Sequence, residues 1–318
     1  MSGTLAPSGR GSVSDGTRRA IRAALVSNLA LLALKSAAAI LTGSSVMVAE
    51  SLHSVVDSIN QSFLAVGLRL SSGGGNGSFP FGRGREQFFW SFVAAMSTTT
   101  ISGTLAVLEG AEKLIYGESL RDLWVALAIV LAGLALEGTA LAVSFRSFEL
   151  ARRSEGFRSR LSYVRSTRNP TLLAALFEDM ASVSGLLVAL VSLLLVMLTG
   201  DVAYDALGSM IVGAILAFFG LSLAREAKGL LVGEGLLPSE LQRIIGVVSS
   251  HPAVARVIDV RGTFLGVDSA ILGVEVNFRD GLTTDEIESA INELESRIRR
   301  VFPQAKYVYV EAEEIRGR

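Results

Sequence analysis

Six stretches of this chain, roughly 21–42, 46–70, 88–115, 123–145, 171–199 and 204–228, are apolar over the length of about 20 residues that a helix needs to cross a bilayer. A single segment in hydrocarbon can satisfy its backbone groups internally only as a helix. The chain is therefore expected to build an all-α six-helix transmembrane domain over about 21–230. Composition agrees, since half of the 318 residues are apolar and 19% are charged. Residues 1–20 are polar, rich in Gly and Ser, and lack the apolar core of a secretory signal, so they read as a disordered cytosolic tail.

The arginines orient the spans. Arg18 and Arg19 end the tail, and the stretch between the fourth and fifth spans holds Arg146, Arg152, Arg153, Arg158, Arg160, Arg165 and Arg168. Arg225 and Lys228 leave the sixth span on the same side, while the opposite loops offer little beyond Lys113 and Arg121. By the excess of basic residues on the cytosolic side, both termini are cytosolic and the protein is a multi-pass one, placed in the plasma (inner) membrane. The formal net charge of -1 gives no reason to expect nucleic acid as a partner. There is no cysteine, so thiolate metal sites and disulfides are excluded, and a transition metal would need His nitrogen and carboxylate oxygen.

After Gly235 the long apolar runs give way to short alternating segments. Pro238 opens a helix that runs toward His251, Val257–Phe264 and Ile271–Phe278 alternate like strands, and Thr283 with Glu286 forms a capping box for a helix to Val301. A last strand follows over Lys306–Val310. The order αββαβ predicts a small cytosolic α/β domain over 236–314.

Ionisable groups inside a span cost several kcal/mol unless paired or hydrated, so each one is a candidate functional residue. The second span carries Glu50, His53 and Asp57 at i, i+3 and i+7, one stripe of a helix, with Asn60 and Gln61 one turn further. His53 and Asp57, four apart, can offer a nitrogen and an oxygen to one ion. The fifth span adds Glu178 and Asp179 after Pro170. Adjacent side chains point about 100° apart, so Asp179 is the expected ligand and Glu178 an auxiliary one. Lys35, Glu50 and Glu137 are candidate proton or gate residues, Lys35 as a neutraliser of an acid. Glu109 and Glu112 lie near a span end and are expected to reach water. Asp205 is expected to cap its own helix, and His251 to be a capping or surface residue.

These pieces resemble the cation diffusion facilitator family, also called the zinc transporter family, from Asn28 onward. The resemblance rests on Asn28, Lys35, the run from Gly43 to Asp57, the linker from Phe79 to Glu86, the stretch from Asp205 to Ser209, and Val308–Glu311, which is similar to the last strand of a metallochaperone-like cytosolic domain. It implies a homodimer in which each protomer exchanges a divalent metal for protons between the second and fifth spans, with His53 and Asp57 matching the first ligand pair. Zinc-transporting members offer His or Asp four residues before the second acid, where this sequence has Ala175. Glu178 next to Asp179 resembles another branch of the family.

The expected activity is thus export of a divalent transition metal from the cytosol in exchange for protons. Zn2+ is the first choice of substrate, with Mn2+, Fe2+ and Co2+ as others. No tightly bound cofactor and no enzymatic reaction are expected. Two rivals are an intramembrane metal-dependent hydrolase, which a single histidine and no evident nucleophile disfavour, and a non-transporting structural or signalling membrane protein.

Overall fold

The computed structural model describes residues 31–117 and 120–313; the N-terminal tail, the start of the first span and Asn28 lie outside the described residues. Seven helices come first: α1 (Leu31–Thr42), α2 (Ser45–Ser71), α3 (Glu86–Tyr116), α4 (Leu123–Ser154), the short α5 (Arg160–Ser166), α6 (Pro170–Thr199) and α7 (Ala203–Val232). Among the described residues α3, α4, α6 and α7 are long and apolar enough to cross a membrane, and α2 has the length, 27 residues, but carries the polar stripe. The remainder is α8 (Pro238–Ser249), β1 (Val254–Gly266), β2 (Ser269–Phe278), α9 (Thr284–Val301) and β3 (Ala305–Ala312), the αββαβ order that the sequence predicts.

The chain forms two compact units. The first takes residues up to Ser62, Ala94–Phe148 and Ala175–Ser222. Its centre is Met47, Val130, Leu186, Leu193, Val212 and Leu216, all fully buried. Lipid tails are as apolar as leucine, so helices in a membrane gain from close packing rather than from leaving water. Small residues supply that closeness between α3 and α7. A Cβ on Gly213 would lie 2.7 Å from the Gly103 carbonyl oxygen, and one on Gly110 would lie 2.5 Å from that of Ala206. Gly103 ends a π-helical turn, Thr98–Gly103, within α3. Ile40, Leu131, Leu187, Leu198 and Phe218 are exposed, as side chains facing lipid must be.

The second unit takes Phe63–Val93, Glu149–Ala174 and the chain from Leu223 onward. Its sheet has the order β1-β2-β3, with β1 antiparallel to β2 (Val260 opposite Val274) and β2 parallel to β3 (Val274 opposite Val310). The parallel pair requires a crossover, which α9 provides. Alternation puts Leu272, Val274 and Val276 into a core with Ile244, Leu294 and Ile298. Thr283 Oγ1 accepts from the Glu286 amide, and the Glu286 carboxylate accepts from the Thr283 amide, which closes the predicted capping box. The linker ahead of α3 belongs to this unit. Phe81 meets Tyr307 edge-on at 5.0 Å, and a Cβ on Gly84 would sit 2.9 Å from Gly266 Cα, so only glycine lets these two backbones approach. Arg168 lies over the Phe264 ring at 4.7 Å and donates to the Gly235 carbonyl at 2.9 Å. The arginine-rich stretch, expected as a loop, is partly helical: α4 runs on to Ser154 and α5 follows, with Glu149 gathering Arg152, Arg153 and Arg160.

The start of α2 corrects one expectation. Asp205 does not cap its own helix, whose first amide, that of Ala203, is bound by Asp201 at 2.9 Å. Asp205 instead accepts from the Ser45 amide at 2.7 Å and the Ser45 hydroxyl at 2.8 Å, and also takes the Ser44 hydroxyl. An acid from α7 thus satisfies the first free amide at the positive end of α2. Lys113 balances it at 3.1 Å and also donates to the Gly43 carbonyl. Asp205 is fully buried and Lys113 nearly so, so Lys113 is a structural partner rather than a loop charge. Breaking one side of a buried pair costs about 3–5 kcal/mol. Asp205→Asn should therefore lower the thermal unfolding temperature in detergent sharply, and the double change Asp205→Asn/Lys113→Met should recover part of the loss.

Candidate metal site

The stripe on α2 forms as its spacing predicts. Glu50 and His53 are fully buried, and Asp57 one turn later is largely so. His53 Nε2 stands 3.3 Å from Asp57 Oδ2 and 3.2 Å from the Ser182 hydroxyl on α6. His53 Nδ1 and Asp57 Oδ1 are buried and meet no hydrogen-bonding protein atom.

Asp57 opens onto a cavity of about 220 Å3, whose wall also holds Gln61, Glu137, Glu178, Asp179, Ser54 and Ser182. Asp57 and Asp179 therefore share one chamber. Glu178, the auxiliary ligand of the sequence reading, lines it too. A cavity of this size spans more than one side-chain direction, and two neighbouring acids can border it. Ala175 is exposed on α6 and absent from the wall. His53 is one layer back, behind Asp57 and Ser182. Among the described residues no three His, Asp or Glu side chains stand close enough to enclose an ion; the acids border a shared space instead.

Lys35 on α1 anchors the other side. Its ammonium lies 3.0 Å from Glu50 Oε2 and 3.0 Å from Glu137 Oε1, with both Lys35 and Glu50 buried. The second Glu50 oxygen packs against α6 where residue 185 is glycine; a Cβ there would come within 2.0 Å of it. One lysine thus ties together acids from α2 and α4.

Sequence reasoning missed Ser182. It follows Glu178 by four residues and Asp179 by three, so helical spacing alone puts it on their face. Asn60, one turn further along the stripe, hydrogen-bonds Glu178 and also donates to Thr98 at 2.7 Å, at the start of the π-helical turn of α3. Glu112 is exposed and Glu109 half-buried. His251, in the second unit, is buried: its Nδ1 accepts from the Ala253 amide at 3.2 Å and its Nε2 meets Glu293 at 3.1 Å. It closes the turn after α8, which is a capping role, and does not sit on the surface. The Arg297 guanidinium, and after it His251, hold the Glu293 carboxyl below the usual carboxylate range.

Known proteins are similar to this chain in sequence. A family model described as the cation efflux transmembrane domain matches residues 21–232. The mitochondrial proton-coupled zinc antiporter SLC30A9 of Xenopus laevis is 30% identical over 80% of this chain and 46% of its own length. Metal tolerance protein C4 of Arabidopsis thaliana is 28% identical over 82% of the chain and 57% of its own. The cation-efflux pump FieF of Serratia proteamaculans is 26% identical over 86% and 85%. The chain thus spans about half the length of the first two relatives.

The contact of Glu50 with Gly185 yields a test of the site's rigidity. Gly185→Ala forces Glu50 or α6 to move, and overpacking of this kind costs about 1–3 kcal/mol. Its unfolding temperature in detergent should fall clearly below that of Gly138→Ala, where an added Cβ meets nothing within 4 Å.

Proposed function

Because the chain belongs to the cation diffusion facilitator family, we propose that it is a secondary transporter, exporting a divalent transition-metal cation from the cytosol in exchange for protons, with zinc as its first substrate. One observation carries the reading: His53 Nε2 stands 3.3 Å from Asp57 Oδ2, and Asp57 in turn borders a cavity lined by further acids. Two ligands bonded at about 2.0 Å to a tetrahedral ion lie about 3.3 Å from each other. The pair is therefore spaced to be bridged by zinc without a change of helix geometry, and Asp179 and Glu178 border the space from which the remaining ligands would come.

Glu178 takes the part that Ala175 cannot, since Ala175 has no donor atom and does not reach the cavity. Mn2+, Fe2+ and Co2+ are the other substrates that a mixed nitrogen and oxygen site can take. Exchange with protons follows from the chemistry of the donors. A metal binds deprotonated carboxylate and neutral imidazole, so metal and protons compete for the same lone pairs. Alternating access then lets the site load from the cytosol and reload with protons on the far side.

The protein works as a homodimer under this reading, with 21–230 as the transport domain and 236–314 as the cytosolic dimerisation domain. Both termini face the cytosol across the plasma (inner) membrane. The zinc and the mitochondrial label in the frog relative's name belong to that protein, and only the first is carried over here.

The test is metal uptake into proteoliposomes that hold a pH-sensitive dye, across a panel of Zn2+, Mn2+, Fe2+ and Co2+. Native protein should move zinc with a counterflow of protons. Asp57→Asn and Asp179→Asn should each cut the flux roughly 100-fold, at or above what loss of a ligand's outer partner does to a metal site. Undiminished flux in both variants, or flux with no dye response, sinks the reading.

A further inference from the structure

Four acids border the cavity, and three of them, Asp57, Glu178 and Asp179, make no ion pair with a lysine or arginine among the described residues. The fourth, Glu137, spends Oε1 on Lys35 at 3.0 Å, and the same ammonium holds Glu50 Oε2 at 3.0 Å. We propose that Lys35 is a positioning residue for metal choice, one that keeps Glu137 and Glu50 out of the cargo's ligand set; this rests on the transport reading above.

The geometry gives Lys35 that reach. Its side chain is 1% exposed and carries the positive charge of α1 to acids on two other helices. Opposite charges at this distance in a medium of low dielectric attract far more strongly than in water, so each carboxylate stays on the ammonium. Glu50 is also fixed from behind, because its free oxygen fills the space left at Gly185. Glu137 faces the cavity, and among the described residues its ion pair is with Lys35, which holds it to the wall.

Removing the lysine changes the donor count. A released Glu137 adds a carboxylate to a space already bordered by Asp57, Glu178 and Asp179. Zinc is satisfied by four donors with nitrogen among them, whereas manganese takes six and favours oxygen. A site with Lys35 in place therefore suits zinc, and one without it moves toward manganese. A lysine that only braced helices together would have no such effect on the metal preferred.

The test compares four proteins: native, Glu137→Gln, Lys35→Met/Glu50→Gln, and Lys35→Met/Glu50→Gln/Glu137→Gln. Glu50→Gln accompanies the lysine change so that no second acid is left buried alone. Two readouts are taken, the ratio of Mn2+ to Zn2+ transport in proteoliposomes and equilibrium competition of Mn2+ against Zn2+ in detergent. The double variant should shift both ratios toward manganese by roughly tenfold, the lower range for loss of a partner to a metal site. The triple variant should return them to the native value, and Glu137→Gln alone should leave them there. An unchanged ratio in the double variant, or a triple variant that stays shifted, overturns the proposal. So does a shifted ratio in Glu137→Gln, which needs no lysine change to fold and would make Glu137 a ligand already. If the native protein moves and binds neither metal, the transport reading itself fails, a result distinct from each of these.

Discussion

A charge in hydrocarbon must find a partner, and the structure of the first unit follows from how each one does. Lys35 is the clearest case. An isolated ammonium at that depth would cost several kcal/mol, and the chain answers by directing a glutamate from α2 and another from α4 onto it. The ion pair sets the rotation of three helices at once. It thereby decides which face of α2 remains for His53 and Asp57, and which wall of the cavity Glu137 occupies.

The same constraint governs the head of α2. A helix amide with no carbonyl to bind is costly in a membrane, and Asp205 supplies both an acceptor and a charge to suit the helix dipole. That acid then needs Lys113, which in turn binds the Gly43 carbonyl at the α1–α2 corner. Two buried networks thus hold α2, one at its start and one at its first polar turn, and the His53–Asp57 pair lies just beyond the second. A site that must choose among divalent metals by fractions of an ångström needs such a support. Close packing at Gly103, Gly110 and Gly213 supplies the rest where no hydrophobic drive between helices exists.

Much of this was legible in the residues. Length and hydropathy placed four of the spans among the described residues, and spacing placed Glu50, His53 and Asp57 on one face, because a helix period is a local property. The capping box at Thr283 and the αββαβ order were equally local. Asp205 misled for the opposite reason. Near the start of a helix an acid ordinarily serves that helix, and nothing in the order of residues says that another helix end lies closer. Ser182 was hidden in plain spacing, and Glu178, ranked behind Asp179 on the angle between neighbouring side chains, borders the same cavity.

By itself the sequence determined that the chain lives in a membrane, that its polar stripe lies on the second span, and that a small α/β domain follows. Each is set by the solvent's demands on single segments. Only the tertiary structure decided which charges are consumed and which are left to act. Lys35, Glu50 and Glu137 are as polar on paper as Asp57, Glu178 and Asp179, yet Lys35 holds one oxygen of each of the first two glutamates, while the last three border the cavity with no bond to that lysine. Pairing depends on distances of a few ångströms between helices far apart in the chain, and no local rule of spacing carries that information.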